Sequence, residues 1–132
     1  MRAGRTLRRI VMDRIIAHVP DLGGRVFDMA TKGVDHPYAT LGPSYWVDDS
    51  TECIDARETT LQVDLWHDSS SKGELEDLVD DVTAALKGWA DTVSLTMHPV
   101  EISLVQIMDD PDGVSVHGVI QIEAMVEADG NP

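Results

Sequence analysis

The chain has 132 residues, 42% hydrophobic and 26% charged, with a formal net charge of -14; this is the composition of one folded domain, long enough to bury a core without staples. Its single cysteine, Cys53, excludes an internal disulfide and a cysteine-based zinc cluster and suits a reducing compartment. No stretch approaches the roughly 20 apolar residues of a bilayer span, and the acidic balance repels nucleic acid backbones and membrane surfaces.

Charge is uneven along the chain. Through His18 there are five arginines against Asp13 alone, a local +4 that leaves -18 for the rest. Arg2, Arg5, Arg8 and Arg9 resemble the start of a signal peptide, but no continuous apolar run or small-residue cleavage site follows, so the chain is expected to stay in the cytoplasm of its producing cell. Leu7, Ile10, Val11 and Ile15 form one apolar stripe at helical spacing, with the arginines as its solvated face or as a basic surface for an acidic neighbour. Pro20 stops this helix, and "DLGG" at 21–24 turns the chain into a short strand at Arg25 to Asp28.

"HPYATLG" follows. Pro37 disfavours helix at His36 and lacks an N–H for a ladder, so it suits a strand entry; Tyr38 to Leu41 are the strand, and Gly42-Pro43 is predicted to end it. Beyond a polar stretch, Leu61, Val63 and Leu65 alternate with Gln62, Asp64 and Trp66 as in a half-buried strand, broken by "HDSSSKG". A second helix starts near Glu74, capped by Ser71 or a neighbour, and carries Leu75, Leu78, Val79, Val82, Leu86 and Trp89 as a continuous stripe.

The last third predicts a β-hairpin. "DDPDG" has the residue order of a type I turn, with Asp110 first, Pro111 second and Gly113 fourth. Val114, Val116, Gly118, Ile120, Ile122, Ala124 and Val126 share one face of its long second strand; Ser115, His117, Gln121, Glu123 and Glu127 share the other. That polar face and the strand's edge are expected to be free for a neighbour. Residues 128–132 are expected to fray. The fold class predicted is α+β: a single domain over 1–132, with a largely antiparallel sheet, two helices packed on one face and a long C-terminal hairpin.

Chemistry is sparse. The five histidines are scattered, none at the i, i+4 spacing of a helical metal pair; "DDPDG" lacks the ligand spacing of a calcium loop; and no nucleotide-binding glycine motif, Walker lysine or nucleophile elbow is present. No enzyme, cofactor or metal is predicted.

The ordered series "DLGGRVFD", "HPYATLG", "TTLQVDLWHDSSSKGELEDLVDDVTAAL" and "VEISLVQIMDDPDGVSVHGVIQIEAMVEA" resembles the tail completion, or tail terminator, family of long-tailed bacteriophages and phage-derived gene transfer agents. One departure is "MATKG", where many members have a proline. The resemblance implies a structural virion protein at the head–tail interface, assembled in the host bacterium's cytoplasm. It also implies a ring, generally a hexamer, that caps the tail tube and joins a head-side connector or neck protein while DNA passes through unbound. A neck or head–tail connector protein of the same particle is the alternative, and a small cytoplasmic enzyme with a hidden site the more remote one. Under the family reading the assembly interface is expected to draw on Tyr38, Ser115, His117, Gln121 and Glu123, with Arg5, Arg8 and Arg9 from the basic start.

Overall fold

A computed structural model describes residues 2–29, 32–68 and 70–128. Helix α1 spans Ala3–His18 and buries Ala3, Leu7, Ile10, Val11 and Ile15, the apolar stripe read from spacing. A 3-10 turn at Pro20–Leu22 leads to Gly23, whose φ of 57° is the left-handed conformation that glycine adopts without steric cost. Six strands follow: β1 Val26–Phe27, β2 Tyr38–Asp48, β3 Ala56–Asp68, β4 Thr96–Met97, β5 Glu101–Asp109 and β6 Ser115–Glu127, with helix α2, Lys72–Leu86, between β3 and β4. They form one mixed sheet in the order β1-β2-β3-β6-β4, with β5 also on β6; only β1–β2 is parallel.

Both helices cover one face of this sheet. Leu61, Val63 and Leu65 of β3 and Val116, Ile120, Ile122, Ala124 and Val126 of β6 meet Leu75, Leu78, Val79, Val82 and Leu86 of α2 in one core with the α1 stripe. Gly118 lets α2 lie close, since a Cβ there would stand 3.0 Å from Val79 Cγ2. The α+β class and the C-terminal hairpin are those expected from the sequence. The turn is as predicted: Gly113 N donates to Asp110 O at 3.0 Å, and Asp112 accepts from the backbone N–H of Val114 and Ser115.

Four local expectations need correction. First, Gly42-Pro43 does not end β2. The strand continues to Asp48 through a bulge, because Leu41 pairs with Val63 and Ser44 with Leu61, so Gly42 and Pro43 together oppose Gln62 alone. Second, Trp89 is not in the second helix, which ends at Leu86; it is half-buried against the core from the following loop. Ser71 stands at the N-cap position without a side-chain cap bond. Third, β6 is not an edge: it pairs with β3 along its whole length and with β5 and β4 on its other side. Fourth, Ala128 does not fray, since its N–H donates to Asp55 O at 2.8 Å. Residues 129–132 lie outside those described.

Candidate assembly interface

The expected interface residues fall into two groups. Tyr38 on β2 pairs with Trp66 on β3, which pairs with His117 on β6, so the three form one row across the sheet on the face turned away from the helices. Their rings stack at centroid spacings of 6.3 Å and 3.9 Å, with Phe27 added at 6.5 Å from Tyr38. Such a row is a rigid platform, because each ring holds its neighbour's rotamer.

The row is fastened by polar contacts. His117 Nε2 lies 2.7 Å from Asp64 Oδ1, Gln62 Nε2 donates to the same oxygen at 2.9 Å, and Trp66 Nε1 donates to Thr40 Oγ1 at 3.3 Å. Asp64 is buried, and a buried carboxylate is tolerated where donors surround it. Gly42 completes this pocket: a Cβ there would stand 2.6 Å from Asp64 Oδ2. Burial, and secondarily Asp110 and Asp112 of the hairpin turn, push the Tyr38 hydroxyl above its usual range. His67 sits on the opposite, helix-side face. Its Nδ1 accepts from Asp68 N at 2.9 Å, which places its proton on Nε2, facing Glu74 at 2.8 Å.

Ser115 is buried beneath the turn, with its hydroxyl donating to Asp112 at 3.0 Å, and so presents little surface. Gln121 and Glu123 are half-buried on the outer face. Glu123 belongs to an acidic cluster with Glu58, Glu101 and Asp49; burial and then these three carboxylates raise the Glu58 pKa.

The arginines divide. Arg5 and Arg9 are exposed. Arg8 is not a free cation: it pairs with Asp28 at 2.8 Å and donates to Gly42 O at 3.0 Å, Leu41 O at 3.3 Å and Ser44 Oγ at 3.3 Å. It thereby ties α1 to the β2 bulge, supplying donors to carbonyls at the point where the ladder is interrupted.

One surface was missed by sequence reasoning. Beyond the bulge the outer half of β2, paired with β3 alone, forms an arm along the sheet edge whose Tyr45, Trp46 and Val47 are 62%, 55% and 59% exposed. Ile54 in the loop joining the two strands is also exposed, and the Arg57 guanidinium lies 4.6 Å over the Trp46 ring. Arg57 Nε is buried without a hydrogen-bond partner. The signal was present as three large side chains in succession, but it sat in a stretch that its acidic neighbours made look like a solvated loop. Exposed apolar groups in this number mark an interaction surface.

Among the described residues no three His, Cys, Asp or Glu side chains stand close enough to hold a metal, and no helix is long and apolar enough to cross a membrane.

Among curated proteins no sequence matches the chain. Among solved structures, a chain of the virion of a native gene transfer agent particle superposes with a TM-score of 0.76 at 17% identity, covering 89% of this chain and 92% of that one. The bacteriophage SPP1 gp17 protein superposes with a TM-score of 0.59 at 19% identity, covering 98% and 94%. The profile of the family described as tail completion protein gp17 matches residues 13–127. The chain belongs to the tail completion protein family, and its role is structural.

Proposed function

We propose that this chain is a tail terminator: a ring, six copies in the family reading, that caps the finished tail tube and offers the DNA-filled head its docking surface. The observation that carries this is the family match over residues 13–127, joined to a fold whose open strand edges and apolar arm suit association with neighbours. The ring ends tube growth because its head-side face differs from that of the tube protein below it. The tail tube protein and a head-side connector or neck protein are its partners. A net charge of -14 suits a channel wall along which DNA slides, since like charge prevents adhesion. The place of action is the head–tail interface, and the work is binding, without catalysis.

Deletion of the chain tests the proposal by electron microscopy. Filled heads and unjoined tubes of abnormal length are expected. Unjoined tubes of normal length would favour the neck or connector role instead, and normal joined particles would remove the chain from assembly altogether.

A further inference from the structure

Besides the outer flanks of the two-residue strands β1 and β4, two longer strand edges are unpaired among the described residues, at opposite ends of the sheet. On one side, β1 covers β2 only at Ala39 and Thr40 and Arg8 takes the carbonyls of Leu41 and Gly42, which leaves β2 open from Ser44 to Asp48. On the other, β5 has β6 on one flank and no strand on its second. β2 and β5 run antiparallel to one another, as successive pairings through β3 and β6 require. Apolar side chains stand exposed at both ends: Tyr45, Trp46 and Val47 on β2, and Leu104 and Val105, 43% and 44% exposed, on β5. Open apolar edges of this kind are satisfied by adding a strand.

Charge on the helical layer has the same polarity. Helix α1, tied to the β2 bulge by Arg8, exposes Arg5 and Arg9, with Arg2 exposed just before its first residue. Helix α2, tied to the end of β5 by the 2.8 Å Lys72–Asp109 pair, exposes Glu76 and Asp80 one and two turns on from Lys72, whereas Glu74 and Asp77 face Asp21, Pro37 and His67. The layer is therefore basic toward the β2 end and acidic toward the β5 end. A two-fold contact joining like ends would set arginine against arginine or carboxylate against carboxylate. A contact joining unlike ends puts each charge beside its opposite and each open edge beside the other.

We infer that the occupant of the β2 arm is a second copy of this chain. Residues 44–48 of one copy lie along β5 of the next, and α1 of the first lies beside α2 of the second. This rests on the ring reading and specifies it as head-to-tail, the arrangement that closes into a ring when the rotation allows. The orphaned Arg57 and its Trp46 partner belong to the same junction.

Cross-linking in assembled particles tests it. With Cys53→Ser throughout, particles are prepared carrying Val47→Cys, Leu104→Cys or both, and treated with a short bismaleimide. The expected result is a ladder of multimers, each one chain larger than the last, from the double variant and monomer alone from either single variant. Dimers from a single variant mean a two-fold contact and overturn the inference. So does monomer from the double variant in particles that hold the chain at its normal amount. Charge exchange gives a second readout should the cysteine variants fail to enter particles. Arg5→Glu with Arg9→Glu, and Glu76→Lys with Asp80→Lys, should each lower particle yield at low salt, and all four together should restore it. Reduced yield without restoration overturns the junction while leaving the ring reading intact. Absence of the wild-type chain from particles ends both.

Discussion

β6 and the outer half of β2 are strands of similar character in sequence and opposite fate in the fold. β6 alternates Val116, Gly118, Ile120, Ile122, Ala124 and Val126 with a second set that is polar except at Val119 and Met125; the first set is buried, and β3 lies on one side and β5 on the other. Beyond its bulge, β2 carries Tyr45, Trp46 and Val47, larger than most of the β6 set, and leaves them in water with one edge unpaired. Apolar content therefore does not decide which strand is core. Position in the strand order does, and a strand buried for stability cannot also serve as the edge that recruits a neighbour.

Substitutions on β6 should break this contrast most severely. Ile120→Asp places an unpaired charge in a fully buried site and is expected to abolish folding, a loss above about 4 kcal/mol. Gln121→Pro, facing Gln62 on one side and Leu104 on the other, is expected to unfold the monomer as well, costing about 3 kcal/mol or more because an interior strand has no free flank for an imino nitrogen. Circular dichroism and urea titration measure both. A folded Gln121→Pro protein would contradict the interior placement of β6.

A smaller effect is expected at the outer-face carboxylates. The Glu58 pKa is raised by burial and then by Glu123, Asp49 and Glu101, so the folded state holds that proton more tightly than the unfolded chain does. Ionised Glu58 therefore costs stability at neutral pH, and the cost fades as pH falls through its raised folded value toward the unfolded one. Glu58→Gln should raise Tm by about 1–2 °C at pH 7, a small gain because the group is partly solvated, and by nothing near pH 3. A gain at pH 3 equal to that at pH 7 would point to packing rather than charge.

The smallest effect on folding is expected on the arm. Trp46→Ser with Val47→Ser should change unfolding free energy by no more than about 0.5 kcal/mol, as for other surface positions, while particle complementation is lost. Large destabilisation would show that these side chains belong to the core after all.

What was legible in the sequence was local. The stripes of α1 and α2, the alternation of β3 and β6 and the Asp110–Gly113 turn each depend on residues a few positions apart. Strand order depends on pairings such as Gln62 with Gln121, which no local period encodes. The row of Phe27, Tyr38, Trp66 and His117 is drawn from four separate strands, and so only Tyr38 and His117 were singled out beforehand, for other reasons. Arg8 looked like its neighbours Arg5 and Arg9 because its partners, Asp28, Leu41, Gly42 and Ser44, lie 20 to 36 positions away. Gly42-Pro43 was read by its usual meaning as punctuation, whereas here the pair is accommodated by widening one strand.

That widening acts as a phase inverter. Side chains of a strand alternate, so one extra residue exchanges the faces of everything downstream. Before the bulge, odd-numbered Ala39 and Leu41 point to the core; after it, even-numbered Ser44 and Trp46 share the side on which Leu61 and Thr59 stand. Tyr45 and Val47 take the other side. Removing Gly42 or Pro43 would heal the bulge without moving the arm's surfaces, because one residue would then oppose Gln62 while Ser44 still met Leu61, and Trp46 would stay on the side of Arg57. A relative lacking one residue at this point can thus present the same two surfaces under shifted numbering, and an alignment gap there marks a straightened strand rather than a change of surface.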